Sequence, residues 1–353
     1  MKTLLRPTGF VDSPFGHDGK VARLAGGLNW FASVELIHEN GTRELMPVDG
    51  IEARFDAAMA ATWAQIVAPR APLSLGARTI RLDQPQVMGI VNATPDSFSD
   101  GGQFADPRAA AEAGASMAAA GAALIDVGGE STRPGAKDVW EGDEIERILP
   151  VVQILVAGGT AVSIDTRKAT VIEAALGAGA GLVNDVSALT HDERSAEVVA
   201  AAKVPVILMH HQGDPQGMQD NPRYDDVLVD VYDWLKERIA AAEQVGIARA
   251  NILVDPGIGF GKSVAHNLEL INGLAVFHGL GCPIVLGASR KRMIGALSNE
   301  APADQRLAGS LALALKAADQ GAQLIRVHDV PETVQALKVW RGLRDQALTP
   351  RVG

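Results

Sequence analysis

The chain has almost no cysteine. Cys282 is the only one in 353 residues, so no intramolecular disulfide can form. That points to a reducing compartment. Cys282 opens the apolar run "CPIVLGAS", where a thiol reads as a small buried hydrophobe rather than a nucleophile. Long apolar runs are also missing. No stretch reaches the roughly 18 uninterrupted residues of a membrane span. The opening "MKTLLRPTGFVDSPFGHDGK" lacks the apolar heart of a secretion signal, so a cytoplasmic location is expected. Positive charge is in deficit: 32 Lys and Arg against 42 Asp and Glu leave a net charge of −10. This argues against a broad nucleic-acid surface. An anionic substrate remains compatible, because a local basic cluster can dominate one cleft.

Apolar residues make up 47% of the chain, enough for a large core. The length suits one large domain plus a small one. From residue 86 onward short apolar runs recur: "VMGIVN", "ALIDVGG", "AVSID", "GLVNDVS", "VPVILMH", "NILVDPG", "PIVLGAS" and "QLIRVHD". Each is too short for a helix and apolar on both faces, as a buried parallel strand should be. Helix-like stretches lie between them. "DPRAAAEAGASMAAAG" has Asp106 as N-cap and Pro107 at the first helical position. "RKATVIEAALGAGA" and "DERSAEVVAAAK" are rich in alanine, and "DDVLVDVYDWLKERIAAAEQVG" carries an apolar stripe and stops at Gly246. Eight such units predict an α/β fold, a (β/α)8 TIM barrel over residues 84–353. An open doubly wound sheet is the alternative, but its glycine fingerprint is absent after the first strand.

Residues 1–83 break the pattern and predict an N-terminal α+β extension of unknown role. Asn40-Gly41 between two strand-like runs signals a hairpin. "GIEARFDAAMAATWAQIV" predicts one amphipathic helix, and "APRAPLSLGA" a connector.

Active sites of such barrels sit at the C-terminal strand ends. Read in order, those ends present Asn92, Asp126, Asp165, Asn184, Met209 with His210, Asp255, Ser289-Arg290-Lys291, and Arg326 with His328. Singly, Asp165 or Asp185 could cap a helix or form a turn, and Arg326 and His328 could pair with Asp329 or a neighbouring acid. Together they would be costly to bury without partners. A flat heterocycle with amino and oxo groups would satisfy Asp165, Asn184 and Asp255. Arg326 and His328, two apart on the last strand, suit phosphate or pyrophosphate. "DPGIGFGK" looks like a phosphate loop but lacks the Walker spacing. A loop bringing Asp255 and Phe260 to a planar ligand fits it better.

The runs "MGIVNATPDSFSDGG", "LIDVGGESTRPGA", "VNDVSA", "LMHHQGDPQGMQDNPRYDDV", "LVDPGIGFGK", "LGASRKRMIG" and "IRVHD", in this order, resemble the dihydropteroate synthase family. The resemblance implies condensation of 6-hydroxymethyl-7,8-dihydropterin diphosphate with p-aminobenzoate, in folate biosynthesis, with sulfonamides competing for the aminobenzoate position. It assigns Asp126, Asp165, Asn184, Met209, Asp255 and Lys291 to the pterin. Asn92 would meet Mg²⁺ and pyrophosphate, with Arg326 and His328 on the phosphates. Thr94, Thr132, Arg133, Pro134 and Phe260 would shape the aminobenzoate site and its loops. Asn92, Asp126, Lys291, Arg326 and His328 are the expected catalytic groups, and a homodimer is implied. His211, where the family commonly has methionine, and Arg292, where it often has a small hydroxyl residue, depart from the pattern. Rival readings are a pterin-binding methyltransferase domain acting with a corrinoid protein, a Schiff-base lyase using Lys291, and a non-catalytic binding relative.

Overall fold

The computed structural model describes residues 2–93, 106–131, 138–213 and 221–349. The expected positions Thr94, Thr132, Arg133 and Pro134 therefore lie outside the described residues.

Eight parallel strands form the barrel: β7 (Gln86–Asn92), β8 (Leu124–Gly128), β9 (Val162–Asp165), β10 (Leu182–Asp185), β11 (Val206–Met209), β12 (Ile252–Asp255), β13 (Val285–Leu286) and β14 (Leu324–Val327). β14 pairs with β7, and the bridge between Val254 and Ile284 joins β12 to β13 and closes the ring. Helices α2 (Pro107–Ala119), α3 (Glu141–Ala157), α4 (Ala169–Gly177), α5 (Ser195–Ala202), α6 (Val227–Gln244), α7 (Val264–Asn272), α8 (Arg292–Leu297), α9 (Leu307–Asp319) and α10 (Val330–Ala347) follow the strands. Asp106 caps α2, its carboxylate accepting from Arg108 N at 2.9 Å, with Pro107 in the first turn.

Strand parity sorts the core into two layers, because successive side chains leave opposite faces. Outward residues such as Val87, Ile125, Val162, Val183, Val206, Ile252, Ile284 and Ile325 pack against the helices. Inward residues form a separate floor: Met88, Leu124, Ala161, Leu182, Ile207, Leu253, Val285 and Leu324, one from each strand or its leading edge. A barrel of eight strands is just wide enough for side chains to fill it.

In the extension, β1 (Thr3–Val11), β2 (Ala22–Arg23), β3 (Trp30–His38) and β4 (Arg43–Pro47) form an antiparallel sheet. Asn40-Gly41 turns β3 into β4, with Ile37 opposite Arg43. The single helix expected over "GIEARFDAAMAATWAQIV" is broken. A 3-10 turn, Ile51–Arg54, ends at Phe55 in extended geometry, and α1 (Ala57–Val67) starts afresh. The cause is Asp56, whose carboxylate accepts from Met59 N at 2.8 Å and caps the new helix. The expected connector also holds structure. β5 (Leu73–Leu75) and β6 (Arg78–Ile80) make a hairpin whose Leu73, Leu75 and Ile80, together with Leu82, stop the barrel floor. No helix among the described residues is long and apolar enough to cross a membrane.

Candidate active site

The site follows from the floor by counting in twos. Two residues beyond each floor position, the inward side chain becomes polar or small: Asp126, Ser163, Asn184, Asp255, Gly287 and Arg326, with Ile90 and Met209 completing the layer. Two further on stand Asn92, Asp165, Ser289 and His328. Strand alternation alone puts these groups inside one rim.

Their contacts confirm the convergence. Arg326 donates through Nε to Asp126 Oδ2 at 2.6 Å and through a terminal nitrogen to Asp165 Oδ2 at 2.7 Å. Asn184 Nδ2 donates to the same Asp126 oxygen at 3.0 Å. The other Asp126 oxygen and Ser163 Oγ, on residues paired across β8 and β9, have no hydrogen-bond partner among the described residues. Asp255 lies opposite Met209 in register and accepts from Gly257 N at 2.7 Å. Lys291 Nζ stands 4.1 Å from the centre of the Phe260 ring. His328 Nδ1 lies 3.1 Å from Ser289 Oγ.

Burial raises the pKa of Asp165, against the pull of Arg326, and that of Asp255, against the Gly257 N–H and the charges of Lys291 and Arg326. Burial would lower Arg326, but Asp126 and Asp165 outweigh it and hold its guanidinium firmly protonated. The site therefore concentrates acceptors for a donor-rich ring around one fixed cation.

Several expectations about individual residues change. Arg326 does form ion pairs, but with Asp126 and Asp165; Asp329 instead receives Arg290 Nε at 3.0 Å. Asp165 does not cap α4, whose N-cap is Lys168. Asp185 is the turn former: it points outward and accepts from Ser187 N and Leu189 N. His211 packs edge-on against Trp234, its ring centre 5.8 Å away, and Arg292 is exposed at the start of α8. Asn92 ends β7 at the rim. No group of three or more His, Cys, Asp or Glu able to hold a metal occurs among the described residues.

Sequence reasoning missed two networks. Glu130 accepts from Arg167 Nε, Lys168 Nζ and Val139 N, each at 3.0 Å, and Lys168 also reaches Glu144 at 2.6 Å. The "DTRK" spacing could have suggested basic partners at the end of β9, but Glu130 and Glu144 lie on other elements. The second network surrounds Lys262, which is buried beneath the glycine run after β12.

The pterin binding enzyme family model matches residues 88–328. The dihydropteroate synthase of Escherichia coli K12 is 48% identical over 262 residues, covering 74% of this chain and 92% of that protein. The structure of Xanthomonas albilineans dihydropteroate synthase with 4-aminobenzoic acid superposes with a TM-score of 0.73 at 48% identity, over 79% of this chain and 99% of the other. The same enzyme in complex with 7,8-dihydropteroate gives a TM-score of 0.71 at 46% identity, over 79% and 100%. The chain belongs to the dihydropteroate synthase family of pterin binding enzymes.

Proposed function

We propose that the chain condenses 6-hydroxymethyl-7,8-dihydropterin diphosphate with p-aminobenzoate, yielding 7,8-dihydropteroate and pyrophosphate. It is a transferase of the family just established. The observation that carries the reading is the inward polar layer of Asp126, Asn184, Asp255 and Arg326 above a sealed apolar floor. A pterin ring offers N–H donors along one edge and a carbonyl acceptor. Asp255 and Asn184 would read that edge, Lys291 would donate to the ring, and Met209 would lie against its face.

The acceptor amine is aniline-like and a weak nucleophile. The pterin can feed electrons to its exocyclic methylene, so the carbon–oxygen bond breaks before the amine attacks. The chain's residues then have three tasks. Asp126 and Asp165 supply negative charge near the transient cation. Arg326 and His328 face the departing pyrophosphate at the rim. Positioning the amine in line lowers the entropic barrier. No covalent intermediate on the protein is required.

Mg²⁺ belongs to the same proposal. It would arrive largely on the diphosphate, keeping waters, a mode that needs few protein ligands. Asn92 offers one neutral oxygen at the rim, which fits such a guest. A homodimer and a supporting role for residues 1–83 are also proposed. Val339 and Leu343, one turn apart on α10 and 61% and 70% exposed, offer apolar surface that a second copy could bury.

The test is pyrophosphate release by the purified protein with each substrate omitted in turn. Sustained release that needs both substrates, with dihydropteroate formed in equal amount, is expected, whereas a single equivalent released on the enzyme before the amine arrives agrees with bond breaking first. Repeated turnover without p-aminobenzoate, or no dihydropteroate with both substrates present, would overturn the reading.

A further inference from the structure

The glycine run "DPGIGFGK" is built around its own lysine. Gly257, Gly259 and Gly261 have φ of +68°, +84° and +63°, left-handed values that curl the backbone at alternate residues. The carbonyls of Gly257 and Phe260 thereby turn toward one point, and Lys262 Nζ occupies it. Nζ lies 2.9 Å from Gly257 O, 3.0 Å from Phe260 O and 2.8 Å from His210 Nδ1. A phosphate loop does the reverse, turning N–H groups toward an anion. Lys262 is only 3% exposed. Burying an amine is costly unless its hydrogen-bonding needs are met, and here two loop carbonyls and the His210 ring nitrogen surround it. Burial and then the neighbouring Lys262 pull the pKa of His210 down to about 2, and burial also lowers that of Lys262. Nζ and Nδ1 share one hydrogen bond of 2.8 Å, whichever of the two carries its hydrogen.

One side of the loop is pressed onto the end of β11. A Cβ at Gly257 would fall 1.8 Å from His210 O, and one at Gly261 would fall 2.3 Å from Gln212 O. Tyr224 Oη adds a hydrogen bond to Gly261 O at 2.7 Å, and Asn267 Oδ1 accepts from Gly259 N at 2.8 Å. The other side faces the site. The Phe260 ring sits beneath Lys291 Nζ, and a Cβ at Gly259 would meet Lys291 Cδ at 3.2 Å.

We propose that Lys262 is a positioning residue: by gripping the Gly257 and Phe260 carbonyls it sets the Phe260 ring. Lys262 itself touches no reacting atom. The inference rests on the reading above, in which Phe260 shapes the aminobenzoate site. Asp255 accepts from Gly257 N two residues away, a turn closed within the local backbone and without Lys262 as a partner. The pterin side is therefore affected least.

The experiment is steady-state kinetics on full-length Lys262→Met, which keeps the stem and removes the donors, with each substrate varied in turn. The KM for p-aminobenzoate should rise about tenfold while that for the pterin diphosphate stays within about threefold. A role confined to stability would lower the melting temperature and leave both KM values unchanged, and that result overturns the inference. Equal rises in both KM values overturn it too. If Lys262→Met does not fold, Tyr224→Phe removes a single bond to the same loop. A rise of about twofold to threefold in the aminobenzoate KM alone is then expected, and no change refutes it. A wild-type protein that forms no dihydropteroate sinks the functional reading and the inference with it. An active wild type with an unshifted variant sinks the inference alone.

Discussion

Arg326 is the cation between two buried carboxylates, and its removal has two separable consequences. Asp126 and Asp165 lose the charge that compensates them, which for a buried pair costs about 3–5 kcal/mol. The leaving group also loses a donor, worth about a hundredfold or more in turnover. Arg326→Ala should therefore be both slower and less stable, by kinetics and by thermal melting; near-wild-type turnover would remove Arg326 from the mechanism. Asp255 carries a pH signature. Its ionised form accepts from ring N–H groups, and its protonated form presents a donor instead. Pterin affinity is thus present above the pKa and lost as pH falls through it. Burial raises that pKa above the ordinary 3.8, so calorimetry should show binding failing at a higher pH than an exposed aspartate would give. In Asp255→Asn this portion of the pH dependence should vanish and affinity should drop at neutral pH. Unchanged affinity would exclude Asp255 from the ring site.

Elements here are bounded by single side chains. Asp226 caps α6, accepting from Leu228 N at 3.0 Å and Val229 N at 3.2 Å, and also pairs with Arg43 of the extension at 2.6 Å. Losing a cap costs about 1 kcal/mol, and a partly exposed ion pair adds at most about 1 kcal/mol. Asp226→Ala should therefore cost about 1–2 kcal/mol in denaturant unfolding, more than Arg43→Ala. The reverse order would show that the extension, not the cap, holds this end of α6. Boundaries of this kind were partly legible. Asp106-Pro107 and Asn40-Gly41 are local signals whose geometry is set within a few residues. Asp56 was overlooked because the apolar spacing before it mimics a helix, while a cap acts through one backbone bond that periodicity does not report.

At the scale of the molecule, the family match begins at Met88, and the extension lies outside it. The extension nevertheless reaches the barrel at several points. Asn29 Nδ2 donates to Ala318 O at 2.7 Å, Arg70 donates to His278 O at 3.0 Å, and Arg344 donates to Val11 O at 3.1 Å. The hairpin of β5 and β6 contributes Leu73, Leu75 and Ile80 to the floor, each side chain worth about 1.5–3 kcal/mol on burial. A chain starting at residue 71 should therefore melt well above one starting at residue 84, which leaves the floor open. Equal melting temperatures would show that the hairpin is dispensable.

The sequence by itself determined the eight-unit repeat and the presence of polar groups at the strand ends. Both follow from patterns written locally along the chain, although His210 and Arg290, read among those ends, turn instead to Lys262 and Asp329. It did not reveal that Arg326 of the last strand would lie between acids of the second and third. Nor did it show that Lys262 would reach back to His210, or that a hairpin would stop the floor. Those contacts join residues far apart in the chain, and only ring closure brings them within bonding distance. Physically, alternation decides which way a side chain points, and closure decides what it meets.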